Sequence, residues 1–390
     1  TFIKNRIQLL KMTMHADSFL PLFSLCAHFE QSDELKSQIQ FASRQIDNWQ
    51  NLLIEAEKQG MAPLVNYHLR KSDVSVPQEI LRGLSALALR HRLINQVRTD
   101  TLIELGASFR QGENPFLVLK GIALAHMLYP DPALRPMKDM DLLVKVEDCE
   151  RATQFLLDNG FKQIIDKFFH PSALHLPTFS KEINGFKISI EVHHRLLPEK
   201  NGEYWGYAGK FKLPNQGFSL SKNVCFETIN KEEFLYHLCR HTFFSYHNLE
   251  PLNMIWVADI CNFAEKFKNE MDWQFIQSNY PIVQHTLGAL NKIFPLSNEL
   301  LQIGNIQAWG TRDKTVRTYQ GWPGIPLRDV RQRDVWRWFK NTCFPSDWVL
   351  HLYYGNGRIK AKWYNWWKHV MNLAAITIIH MKIRMRSKHT

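Results

Sequence analysis

The sequence predicts an α+β fold, a small mixed β-sheet core flanked by N-terminal and C-terminal helical regions, and three observations carry that reading. Apolar residues recur at helical spacing through the first quarter of the chain. The period changes to strand-like alternation between about residues 96 and 200. Beyond residue 230 it becomes helical again. The chain has 390 residues, of which 45% are hydrophobic, which exceeds the usual size of one domain and suffices for buried cores.

The N-terminal helical region is read over residues 15–95, where Trp49, Leu52, Leu53 and Ala56 share one helical face and Ile80, Leu81, Leu84 and Leu87 another. The core unit is read over 96–200. A helix leads into a strand ending at Lys120, a short helix covers 122–128, and a second strand carries Asp139 and Asp141. A helix near 148–159 follows, with Cys149, Ala152, Phe155 and Leu156 on one face and Gly160 as its stop. Phe186 to His193 alternates strictly and closes the unit as a strand. Residues 200–224, rich in Gly, Asn and Lys, read as a loop or hairpin excursion. The C-terminal helical region, 226–390, is broken near Pro323 to Pro326 and ends in a basic tail. No internal repeat, P-loop or G-x-G-x-x-G is present.

Chemistry concentrates on the two strands. Residues i and i+2 of a strand share a face about 6 to 7 Å apart, so Asp139 and Asp141 project together while Met140, Leu142 and Val144 turn to the core. Two ionised carboxylates so close repel, and a hard cation such as Mg²⁺ relieves the repulsion. Glu191 lies on the polar face of its own strand with Lys187, Ser189 and His193. Pairing of the two strands would bring three carboxylates together on an open sheet face, enough to hold one or two Mg²⁺ ions, with Mn²⁺ as a substitute. His193 and His194 are read as exposed or hydrogen-bonded rather than metal-bound. His237 and His241 have the i, i+4 spacing of a zinc protease helix, but Leu238 stands where that motif needs its glutamate, so they are read as packing residues. Arg135 reads as a loop cap or a partner of Asp131, and Asp259 as a helix residue paired with a base.

The residues around these acids resemble the uncharacterised nucleotidyltransferase family of the DNA polymerase beta-like nucleotidyltransferase superfamily. The resemblance runs through Val118-Leu119-Lys120-Gly121, Leu128-Tyr129-Pro130, Arg135-Pro136, Asp139-Met140-Asp141-Leu142-Leu143-Val144, Gly160-Phe161 and Glu191-Val192-His193. Flanking matches at Asp47-Asn48-Trp49 and Pro63-Leu64, and at His237, His241 and Trp256 to Asp259, extend it over about residues 45–265. The resemblance implies a nucleotidyltransferase core that moves a nucleoside monophosphate from a nucleoside triphosphate to an acceptor hydroxyl or phosphate. It implies Asp139, Asp141 and Glu191 as metal-binding catalytic residues, with Glu191 as the base. Lys120, Gly121 and Arg135 would be the nucleotide-binding residues. Many members carry a serine after the turn glycine, whereas Ile122 follows Gly121 here, so phosphate contacts fall to Lys120, Arg135 and backbone N–H groups.

Composition frames the partners. The formal charge is +11, and between His351 and Thr390 there are eight Lys or Arg and no Asp or Glu. This tail interleaves Trp363, Tyr364, Trp366 and Trp367 with bases and reads as a packed C-terminal helix or as a peripheral contact with an anionic membrane surface, nucleic acid being less favoured. Six cysteines without a C-x-x-C pair fit reduced, buried thiols of a cytoplasmic protein. Lys4, Arg6 and Lys11 interrupt the first apolar runs, so no signal peptide is expected, and no run is long enough to span a bilayer. Three functional classes follow: a Mg²⁺-dependent transferase with an unidentified acceptor, a binding module of the same fold without turnover, and a nucleic-acid-directed factor.

Overall fold

The computed structural model describes residues 19–30, 32–109, 116–164, 174–196, 215–221, 224–247, 253–291, 293–307 and scattered positions between 336 and 374. Helices α1 (Leu20–Cys26), α2 (Asp33–Ser43), α3 (Trp49–Lys58), α4 (Ala62–Lys71) and α5 (Gln78–Phe109) precede the first strand. Ser32 Oγ accepts from Leu35 N at 3.1 Å and Asn48 Oδ1 from Asn51 N at 2.9 Å, so α2 and α3 begin where a side-chain oxygen satisfies an orphan backbone donor. The predicted faces are the buried ones, with Leu52, Ala56, Ile80 and Leu84 all in the core.

Helix α5 is the ruler of the site. From its buried polar side, Asn95 Nδ2 donates to Pro132 O at 3.0 Å and to Arg135 O at 2.9 Å, and Arg98 Nη2 donates to Lys138 O at 2.9 Å. These bonds pin the loop that feeds the second strand. Strand β1 (Phe116–Leu119) runs into α6 (Lys120–Met127), and β2 (Met140–Val144) is followed by α7 (Cys149–Asp158), β3 (Lys162–Gln163), β4 (Phe179–Ile183) and β5 (Phe186–His193). Their sheet has the order β1-β2-β5-β4-β3, with β2 and β5 parallel and the other neighbours antiparallel. It is the mixed sheet the sequence predicts. The predicted helix stop Gly160 has φ +80°.

Strands β3 and β4 are an addition to the sequence reading. Asn184 and Gly185, with φ of 51° and 76°, close β4 onto β5, the backbone a two-residue hairpin requires. Part of the 200–224 excursion is indeed a hairpin, β6 (Gln216–Ser221) with β7 (Val224–Thr228). Its Phe226 ring stacks on Phe116 at 6.1 Å.

Helices α8 (Lys231–His247), α9 (Met254–Phe267), α10 (Trp273–Asn279), α11 (Ile282–Leu290) and α12 (Asn298–Ile303) complete the described fold. They share a core with the N-terminal helices. Asn262 Nδ2 donates to Ala27 O at 2.8 Å, Met254 N to Gln59 Oε1 at 3.0 Å, and Ser24 Oγ to Ile293 O. Cys26, Cys239 and Cys261 are buried thiols inside it, whereas Cys149 and Cys343 are half-buried and Cys225, on the β6–β7 hairpin, is exposed, so the expectation of buried thiols holds for three of the six. No helix among the described residues is long and apolar enough to cross a membrane. The expected break at Pro323 to Pro326, and nearly all of the basic tail, lie outside the described residues.

Candidate active site

The parallel pairing of β2 and β5 sets Asp141 opposite Glu191 in register, so their side chains leave the sheet on one face, and His193, two residues on, joins them. One donor atom from each of Asp141, Glu191 and His193 lies within 4.8 Å of the others. His193 Nε2 is 2.9 Å from Asp141 Oδ1 and 3.6 Å from Glu191 Oε2. Lys120 Nζ donates to the same Asp141 Oδ1 at 2.8 Å. Lys120 reaches it from the junction of β1 and α6 with a φ of 43°, a backbone region that non-glycine residues occupy sparingly.

Asp139 lies one residue before β2 and is only partly buried. Burial first, then the charges of Asp141 and Glu191, push its carboxyl up to about 6. Burial also opposes ionisation of Asp141, but Lys120 and His193 outweigh it and hold that carboxyl well below the usual carboxylate range. At Glu191, burial is likewise overcome by the His193 hydrogen bond, and the pKa falls. His193 is raised, because the two carboxylates outweigh its burial and the Lys120 charge. The open sheet face expected from the alternation is closed: the side chains of Asp141 and His193 are 5% and 8% exposed, and Glu191 alone keeps 25%.

Helix α8 forms part of the cover. Its His237 is buried and His241 lines a cavity with Lys120, Arg135, Thr242, Trp256 and Asp259. Burial, reinforced by the Lys120 charge, drives His241 down to about 3 and His237 well below its ordinary value, which favours the neutral ring at both. Arg135 places its guanidinium on Asp259, Nε to Oδ1 at 3.1 Å and Nη2 to Oδ2 at 2.8 Å, and Tyr129 donates to the same carboxylate at 2.7 Å. Asp131 pairs instead with Arg92. Gly121 sits beneath Arg135, and a Cβ there would come within 2.8 Å of Nη1, so close approach rather than turn geometry requires the glycine.

Two carboxylates and an imidazole converging from rigid strands fit a divalent cation, and the Lys120 ammonium already marks Asp141 as a cation-binding position. His193 is the residue that reading the sequence as a metal site left out. Its signal was present in the alternation that put it on the face of Glu191. No curated protein and no solved structure matches the chain. A family model described as an uncharacterised nucleotidyltransferase matches residues 46–280, from just before α3 to the end of α10. That match covers more than half of the 390 residues and contains every side chain of the site, and the chain therefore belongs to the uncharacterised nucleotidyltransferase family.

Proposed function

We propose that the protein transfers a nucleoside monophosphate from a nucleoside triphosphate to an acceptor, in the manner of the DNA polymerase beta-like superfamily, with Asp139, Asp141 and Glu191 at a divalent cation. The supporting observation is the register that sets Asp141 against Glu191 beside the Lys120 ammonium. When bound, the cation neutralises the carboxylates and polarises the phosphoryl oxygens. Asp141 is kept ionised by the Lys120 ammonium and by its hydrogen bond with His193. Glu191, the most exposed of the clustered donors, is the one an acceptor hydroxyl reaches, and its carboxylate takes the proton.

Phosphate binding falls to Lys120 and the N–H groups opening α6, where the helix dipole favours anions. Arg135 lines the wall of the same cavity with its charge balanced by Asp259, so its part is to shape the pocket. Ile122 is fully buried and offers no hydroxyl to the triphosphate. That residue favours one second reading, a nucleotide-binding module without turnover.

Purified protein incubated with Mg²⁺ or Mn²⁺, each labelled nucleoside triphosphate and cell extract is expected to place label on an acceptor. Glu191→Gln should fold as the wild type does and lose about a hundredfold or more in rate. Nucleotide bound but never transferred would establish the binding module instead.

A further inference from the structure

The donors that converge at this site are not all oxygen, and their spacing says what they can hold. Around one cation with ligand bonds of about 2.1 Å, neighbouring donors stand about 3.0 Å apart in an octahedron and about 3.4 Å apart in a tetrahedron. His193 Nε2 stands 2.9 Å from Asp141 Oδ1, with which it is hydrogen-bonded, and 3.6 Å from Glu191 Oε2, and all three donors lie within 4.8 Å of one another, separations that suit one shared cation.

The ring is also fixed there. His193 is a strand residue with its partner Leu143 set by the β2–β5 register. Its side chain is 8% exposed, and its ring meets that of His175 edge-on at 5.4 Å, where His175 forms an isolated bridge to the same strand. A buried imidazole held in this way cannot swing into solvent when a cation enters.

Mg²⁺ takes oxygen ligands, whereas imidazole nitrogen binds first-row transition dications more strongly. We propose that Asp141, Glu191 and His193 form a mixed nitrogen–oxygen centre that selects a first-row transition dication, of the Mn²⁺ and Co²⁺ class, over Mg²⁺, with His193 Nε2 as a direct ligand. This rests on reading Asp141 and Glu191 as cation ligands, and it replaces the all-oxygen Mg²⁺ site implied by the resemblance. On binding, the cation takes the place at Asp141 Oδ1 that the Lys120 ammonium holds, and the imidazole offers the Nε2 lone pair, any proton there leaving to solvent.

The test uses the full chain, stripped with chelator and loaded with Mn²⁺ without nucleotide. Pulsed electron paramagnetic resonance is expected to show a directly coordinated ¹⁴N nucleus, replaced by the ¹⁵N pattern when the protein is made with ¹⁵N-histidine. That measurement needs no variant and so does not depend on how a substitution folds. His193→Gln should remove the nitrogen coupling, and His193→Asp should cut the preference for Mn²⁺ and Co²⁺ over Mg²⁺ in calorimetric titration by at least about tenfold. Bound Mn²⁺ without nitrogen coupling in the wild type, or equal affinity for Mg²⁺ and Co²⁺, would overturn the proposal. Transfer with Mn²⁺ but no nitrogen coupling sinks this inference alone. Nitrogen coupling with no transfer on any extract sinks the transferase reading alone.

Discussion

A single carboxylate oxygen, Asp141 Oδ1, takes both the Lys120 ammonium and the His193 ring, and the behaviour of the site turns on that crowding. Lys120, at the start of α6, keeps more of its side chain exposed than Asp141 does, 16% against 5%. A charge-assisted hydrogen bond contributes about 1.5 to 3 kcal/mol, so Lys120→Ala should raise the nucleotide Kd about 10- to 150-fold. Unchanged affinity in a nucleotide titration would move the triphosphate away from this turn. A second residue-scale prediction concerns His68, fully buried with Nε2 donating to His28 O at 2.9 Å. Burial lowers its pKa to about 4, so between its ordinary value and that one the unfolded chain binds more protons than the folded chain. Stability should therefore fall as pH drops from about 6.5 to about 4, by about 3 kcal/mol from this group. His237 and His241 act in the same sense. Urea melts of wild type and His68→Gln across that range isolate the His68 share, and identical pH slopes would refute it. Asp139, Asp141 and Glu191 were legible as candidates because alternation is local. The Arg135–Asp259 pair was not, because its partners lie 124 residues apart and many acids compete on paper for one arginine.

Among the elements, helix α5 and the β6–β7 hairpin meet at a glycine. A Cβ on Gly106 would lie 2.3 Å from Phe226 Cζ, so the helix surrenders a side chain to admit the ring. Alanine favours helix by about 1 kcal/mol, whereas overpacking a full interface costs about 1 to 3 kcal/mol. Gly106→Ala should thus lower stability in chemical denaturation and become stabilising in a Phe226→Leu background, where the space is relieved. A stabilised single variant would mean that the hairpin yields freely. The periodic elements, α3, the start of α5, α7 and β5, were readable because each shows a buried face to itself. Strand β4, Phe-Ser-Lys-Glu-Ile, has no such face, and its existence is set by the Asn184-Gly185 turn and by the partner β5.

Over the whole molecule, the buried Arg135–Asp259 pair ties the loop before β2 to helix α9, and α5 holds the same loop from the other side. Removing one partner of a buried ion pair leaves an uncompensated charge and costs about 3 to 5 kcal/mol. Asp259→Ala should destabilise by that amount, while Arg135→Met combined with Asp259→Leu should recover most of it in a double-mutant cycle. Additive losses would show that the two groups do not depend on each other. The mixed α+β class was legible from the switch of period, but the fusion of the N-terminal and C-terminal helices into one core was not. It rests on contacts such as Asn262 with Ala27, 235 residues apart, which no local pattern encodes.

The parallel β2–β5 register also orders events in time. The β4–β5 hairpin turns on two residues and can close within about 1 to 10 μs, delivering Glu191 and His193 as a preformed half. Asp141 is 52 residues upstream of His193, on a strand that joins that hairpin only through the long-range β2–β5 pairing. During synthesis, then, the acid of β2 emerges first and remains without its counterpart until the chain has lengthened past β5. A cluster drawn from β2 and β5 cannot be complete before the chain has reached His193.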